Sequence, residues 1–213
     1  MSVAEPQLPQ TPLLSVLRVV ELKGRVRATD VATPLDIAVD AADALLTDLE
    51  AAGLLTKAGA GYRLADEGRA RLAELLAADA SAVDQPSLAA AYDDFCVVNA
   101  DLKTIVTAWQ LRADGTPNDH TDAAYDAGVL ARLAELHQKV LPLVERLAAI
   151  APRLARYPAR LQHAQDRLAE GDTTWVARPI LDSYHTVWFE LHEDLIQLSG
   201  RTRLEEAVAG RAH

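Results

Sequence analysis

The sequence predicts a mainly α fold: a three-helix unit carrying a small β-hairpin, followed by an antiparallel helical bundle. Three observations carry this. Half of the 213 residues are hydrophobic and only 5% are aromatic, with much Ala and Leu. Apolar residues recur at three- and four-residue spacing along most of the chain, the period of a helix with one buried face. The clearest exception is Thr56 to Leu64, which reads as strand, turn, strand. Its tip, Gly59-Ala60-Gly61, can take the positive φ a tight hairpin needs.

The elements follow in order. Leu13, Leu17 and Val20 share a helical face, with Pro12 suited to its start and Gly24 to its stop. Val26 reads as a short strand. Thr29 is the expected N-cap of a short helix, Asp30 to Thr33, which Pro34 ends by disfavouring helix at the residue before it. Leu35 and Ile37 pack into the turn. Val39 to Ala52 is the next helix, with Ala42, Leu45, Leu46 and Leu49 inward and Asp40, Asp43, Thr47, Asp48 and Glu50 outward. After Gly53 comes the hairpin. Asp66 and Glu67 then favour the N-terminus of a helix running to about Ala80.

Three motifs tie this unit to a known pattern: Leu49-Glu50-Ala51-Ala52-Gly53-Leu54-Leu55, then Tyr62-Arg63-Leu64, then Asp66-Glu67-Gly68-Arg69. Residues 13–76, about a third of the chain, resemble the MarR-type winged helix-turn-helix family, with Ala65 where members often have Thr. The resemblance implies a hairpin wing and a helix, Val39 to Ala52, whose N-terminal half enters a DNA groove. That half offers no Arg, Lys, Asn or Gln to read a base edge, and Asp40 and Asp43 repel phosphates. Thr47 alone can donate to a base or phosphate. Lys23, Arg25 and Arg27 before it, with Lys57 and Arg63 on the wing, are the expected phosphate rim. Winged helices also serve as protein-interaction modules.

A polar, Pro-containing stretch, Asp79 to Pro86, divides the chain into domains at 1–80 and 87–213. Four helical segments follow. Leu88 to Arg112 lines up Tyr92, Phe95, Val98, Leu102, Ile105 and Trp109. Asp122 to Ile150, with a possible kink at Pro142, carries Leu130, Leu133, Leu136, Val140, Leu143 and Leu147. Pro152 to Ala169 is interrupted at Pro158 and stopped by Gly171. Trp175 to Ser199 has Pro179 in an early turn and Gly200 as its stop. A tail, Arg201 to Ala209, adds one or two turns. Short connections make these an antiparallel bundle, expected to sense an effector or to dimerise. Its helices are longer than the dimerisation arms of a minimal MarR-type protein.

Bulk properties bound the function. The net charge is −10, with 8 basic against 11 acidic residues in 1–75 and 13 against 20 in the remainder. Neither half is globally basic, so DNA binding must rest on a local patch. No apolar run spans a bilayer and Met1 to Gln10 shows no signal peptide, so a cytoplasmic protein without a membrane partner is expected. Cys96 is the single cysteine. It follows Phe95, beside Asp93 and Asp94, and reads as a small buried hydrophobe.

Chemistry-bearing residues cluster on the last long helix. His185, Trp188 and His192 share a face, but two turns separate the histidines, about 10 Å along the axis, which is too far for easy ligation of one ion. Phe95, Asn99, Trp109, His185 and Trp188 are the candidate lining of a small-effector pocket, against the plainer reading of aromatic core. Asn99 and Lys103 are four apart and can grip an acid, or Asp94 and Asp101 can neutralise Lys103. Arg153, Arg156 and Arg160 share a face and read most simply as solvated charges, otherwise as contacts for a phosphate or partner protein. There is no Gly-rich phosphate loop after a strand, no Ser nucleophile elbow and no Cys–His arrangement, so neither an enzyme nor a cofactor or metal is expected. The leading expectation is a cytoplasmic, homodimeric transcriptional regulator that binds double-stranded DNA and a small effector. The alternative is a winged-helix adaptor that contacts protein through its acidic Asp40, Asp43 and Asp48 face. A metal-dependent helical enzyme using His185 and His192 is third.

Overall fold

The computed structural model describes residues 13–201, together with Leu204 and Val208. Pro12 as a helix start, the Met1–Gln10 leader reading and most of the Arg201–Ala209 tail lie outside the described residues. Two compact units divide at Ala82 and Val83, and each is described by itself. Together the described residues form eight α-helices and one two-stranded antiparallel sheet.

In the first unit, α1 (Leu13–Lys23) buries Val16, Leu17, Val19 and Val20. Gly24, at φ +72°, ends it. Next, α2 (Ala28–Leu35) begins two residues before the expected Asp30 and runs through Pro34. The cause is Asp30 at the third helical position. Its carboxylate accepts the Arg27 N–H at 2.7 Å and fixes the start at Ala28, so Thr29 is not the cap. Pro34 sits buried in the last turn. Asp36 then takes the left-handed conformation, φ 51°, ψ 50°, which short polar side chains tolerate. The Ile37 N–H returns to the Ala32 carbonyl at 3.1 Å and closes the helix end.

Three residues, Asp36 to Ala38, separate α2 from α3 (Val39–Ala51). Ala42, Leu45, Leu46 and Leu49 of α3 are buried, the face that its periodicity predicts. Gly53, at φ +77°, and a Leu54 N–H bond to the Leu49 carbonyl turn the chain into β1 (Leu55–Ala58). β1 pairs with β2 (Gly61–Leu64) in the register Leu55 to Leu64 and Ala58 to Gly61. Val26 adds a third rung on the far side of β2, exchanging hydrogen bonds with Tyr62 at 2.9 and 2.8 Å.

The Leu54 carbonyl accepts the Ala65 N–H at 3.0 Å, and α4 (Asp66–Ser81) starts directly against it. An ideal Cβ on Gly68 would lie 1.9 Å from that carbonyl oxygen. Gly68 of the Asp66-Glu67-Gly68-Arg69 motif is therefore set by backbone approach, not by a turn. The unit's core joins these buried residues to Val31, Leu72 and Leu76.

In the second unit, α5 (Gln85–Gln110) starts at Asp84, whose side chain accepts the Ser87 N–H. The helix α6 (Ala123–Ile150) starts likewise at Asp122 and passes unbroken through Pro142. A 3-10 turn, Pro152–Arg156, precedes α7 (Tyr157–Ala169), where Pro158 occupies the first turn and interrupts nothing. A short 3-10 turn, Thr173–Trp175, follows, and then α8 (Tyr184–Leu198). The expected helix from Trp175 thus starts nine residues later. Ser183 is its cap, accepting from Thr186, and Ile180 stands at φ 76° in the segment before it.

Side-chain contacts fix the packing directions. Tyr125 of early α6 donates to the Ala108 carbonyl of late α5, and Arg146 of late α6 pairs with Asp94 of early α5. Arg153 meets Asp194 while Arg160 meets Glu190. Trp188 meets Asn99 while His192 meets Tyr92. Neighbouring helices therefore run antiparallel. No described helix is long and apolar enough to cross a membrane.

Two glycine substitutions separate close approach from propensity. Gly68→Ala should cost about 1–3 kcal/mol by forcing α4 off Leu54. Gly128→Ala, exposed on α6 with open space at its Cβ, should raise stability by about 0.5–1 kcal/mol. Urea denaturation of each variant checks both signs.

Candidate functional site

Alternation along the hairpin sorts the cations of the first unit. Leu55, Lys57, Tyr62 and Leu64 share one face of the sheet; Thr56, Ala58, Gly61 and Arg63 share the other. The first face holds buried Leu55 and Leu64, so Arg63 stands on the outer one and Lys57 does not. Lys57 is drawn instead to Glu50 of α3, at 3.5 Å. Val26 turns its buried side chain toward the core, which sends Arg25 and Arg27 outward along the same extended segment. Arg25 lies across the hairpin tip: Cβ atoms on Gly61 and Gly59 would meet its Cγ at 3.5 Å and its Nη1 at 3.8 Å. Arg25, Arg27 and Arg63, all exposed, thus gather on the hairpin's outer face. Lys23 is half-buried at the end of α1.

The exposed face of α3 is acidic. Asp40, Asp43 and Asp48 are exposed, with Thr47 among them. The Thr47 hydroxyl donates to the Asp43 carbonyl at 2.9 Å, so the one residue expected to donate to DNA commits its proton within the helix.

In the second unit three of the five residues expected to line an effector pocket, Phe95, Asn99 and Trp188, pack together and are buried. Phe95 and Trp188 stack at 4.5 Å and 11°, Tyr92 stacks on Phe95 at 6.0 Å, and the Trp188 indole donates to Asn99 Oδ1 at 2.9 Å. These four are buried core. Trp109 packs on His120 at 4.4 Å near the α5–α6 loop. His185 is half-buried in the first turn of α8, and burial lowers its pKa below the ordinary value near 6.5. Cys96 is half-buried, not the buried hydrophobe expected.

The chemistry of this unit gathers where a solvated face is expected. Arg153, Arg156 and Arg160 point into α8. Asp194, with 0% exposure, accepts from Arg153 at 2.7 Å, Arg156 at 3.0 Å and the Tyr157 hydroxyl at 2.6 Å. Arg160 donates to Asp182 and to Glu190, each at 2.8 Å. Burial works against charge on Arg160, but Glu190 and then Asp182 outweigh it and hold the guanidinium more firmly protonated than usual. Burial raises the Tyr157 hydroxyl far above its ordinary value, so it remains a neutral donor.

Three guanidinium groups face three carboxylates, and the set is electrically neutral. Arg156 and Arg160 also lie over the Tyr157 ring, at 4.9 and 5.4 Å from its centre. Nearby, His137 of α6 is buried between Tyr184 and Gln162, at 3.1 Å from each. Gln162 Oε1 only accepts, so Nε2 carries the proton and Nδ1 accepts from the Tyr184 hydroxyl.

Comparison with known proteins finds no match to this chain among protein families, curated proteins or solved structures.

Two outcomes follow from the buried charges. Arg160→Met leaves Asp182 and Glu190 without their shared cation and should cost about 3–5 kcal/mol in denaturant melts. His185, whose folded pKa is depressed, contributes stability that is complete above pH 6.5 and lost as the pH falls through its folded value. His185→Gln should therefore melt less steeply with acid than the parent chain between pH 7 and 5, in paired thermal scans.

Proposed function

We propose that the chain is a DNA-binding transcriptional regulator: a winged helix-turn-helix followed by a helical unit that binds an effector or dimerises. The observation that carries this is the outer face of the hairpin, where Arg25, Arg27 and Arg63 stand together in the unit whose α2 and α3 are joined by three residues. Val26 extends the hairpin as a third rung, and the Asp66-Glu67-Gly68-Arg69 motif locks α4 beneath it. Together these support the winged-helix reading of residues 13–76.

The charges favour contact by the wing more than base reading by α3. The α3 face carries Asp40, Asp43 and Asp48, and the Thr47 donor is already engaged. Arginines on a narrow hairpin suit phosphates and the potential of a narrow minor groove. Affinity on this reading is strongly salt-dependent and only modestly sequence-dependent. A homodimer would place two such wings across a DNA dyad, and a cytoplasmic setting goes with the same reading.

An adaptor that contacts protein is the second reading. The specific observation behind it is that acidic α3 face, which suits a basic protein surface better than a phosphate backbone.

A mobility-shift titration with duplex DNA from the upstream region of the chain's own gene, at several salt concentrations, tests the first reading. Replacing Arg25, Arg27 and Arg63 by Ala should weaken binding and flatten the salt slope by about 0.9 for each phosphate that is no longer neutralised. Lys57→Ala, on the opposite face and paired with Glu50, should change binding far less. No shift at low salt, with a stoichiometric protein partner in its place, would transfer the assignment to the adaptor.

A further inference from the structure

The buried arginines of the second unit carry more donors than the structure uses. Arg160 is 8% exposed, and its Nη1 has no hydrogen-bond partner. Arg156, one turn earlier with its side chain 11% exposed, leaves both Nε and Nη1 without one. Both guanidinium groups border the same Tyr157 ring. A structural ion cluster ordinarily saturates such donors. Here two adjacent arginines on one aromatic plate keep three nitrogens in reserve, which is the arrangement that grips an acid.

The Asp182 carboxylate indicates which acid. It reaches Arg160 Nε at 2.8 Å from the segment between Val176 and Ser183, whereas Glu190 reaches Arg160 from the rigid α8. In that segment Ile180 is 93% exposed at φ 76°. A β-branched residue is strained there. Arg160 thus already holds a carboxylate delivered by irregular chain, and an external carboxylate can take that place with no change of charge there; the second acidic group of a dicarboxylic acid adds one negative charge, which falls on Arg156. The tethered Asp182 competes at high effective concentration. A single carboxylate displaces it poorly, and a second acidic group on Arg156 supplies the advantage.

We propose that Arg156 and Arg160 form a binding site for a small dicarboxylic acid, which takes the place of Asp182 on Arg160 and loosens the 177–183 segment. This deepens the effector-binding part of the proposed function, though its readout is independent of DNA.

Calorimetric titration of the full chain with succinate, acetate and phosphate at matched ionic strength tests it. Succinate should bind saturably and at least tenfold more tightly than acetate or phosphate. Asp182→Asn should tighten succinate at least tenfold, and Arg156→Gln should weaken it by as much. Amide exchange across 177–183 of the unaltered chain should quicken with succinate, a measurement that needs no variant to fold. An absence of saturable succinate binding, phosphate binding as tight as succinate, or unchanged exchange in that segment would overturn the site. DNA binding by the arginine face would stand or fall separately.

Discussion

Burial of three guanidinium groups beside α8 is the constraint on which the helical unit depends. A charged group leaves water only if another group replaces the lost hydration, at a penalty of several kcal/mol per ion otherwise. Asp194 supplies the opposite charge for Arg153 and Arg156, and Asp182 with Glu190 supplies it for Arg160, while three nitrogens of Arg156 and Arg160 keep no hydrogen-bond partner. These pairs contribute little net stability against an apolar isostere, but they fix register strongly. Sliding α7 along α8 by one turn would strand opposite charges at once, whereas Leu161 and Val187 tolerate many apolar neighbours. Tyr157, neutral and donating into Asp194, is the point through which the two halves of the network touch.

The same reasoning explains what the sequence reveals and what it conceals. Leu45, Leu46 and Leu49 are legible because a helix that buries one face must repeat at its own period. Likewise, the hairpin is legible because Gly59 and Gly61 have few other uses. Arg153, Arg156 and Arg160 read as a solvated face because their partners lie 41, 38 and 22–30 residues away along the chain. No local pattern reports a pairing at that range. Phe95, Asn99 and Trp188, grouped from the sequence as candidate pocket lining, lie together in the core, and an indole with a committed acceptor packs as readily as it lines a pocket. The two misplaced helix starts share one origin. Thr29 and the Trp175 region carry acceptable starting residues, yet a competing cap, Asp30 reaching back to Arg27 or Ser183 ahead of Tyr184, holds the backbone in better geometry. The donor reserve on Arg156 and Arg160 had no sequence signal at all.

Screening decides how the two charge patterns of the first unit combine. On the proposed reading, the arginines of the hairpin act at contact range, where a guanidinium and a phosphate share hydrogen bonds. The acids of α3 act through space. At about 0.01 M salt the screening length is near 30 Å, and the acidic excess of residues 1–75 opposes approach of any polyanion. At about 0.15 M it shrinks to about 8 Å, and only groups at the contact still count. Counterion release pulls the other way, weakening arginine–phosphate contacts as salt rises. On the proposed reading the two dependences oppose each other, and the acidic helix moderates a salt dependence that the wing's phosphate contacts still dominate. On that reading, the same acids penalise α3 for entering a groove, which leaves the hairpin as the element that approaches DNA first.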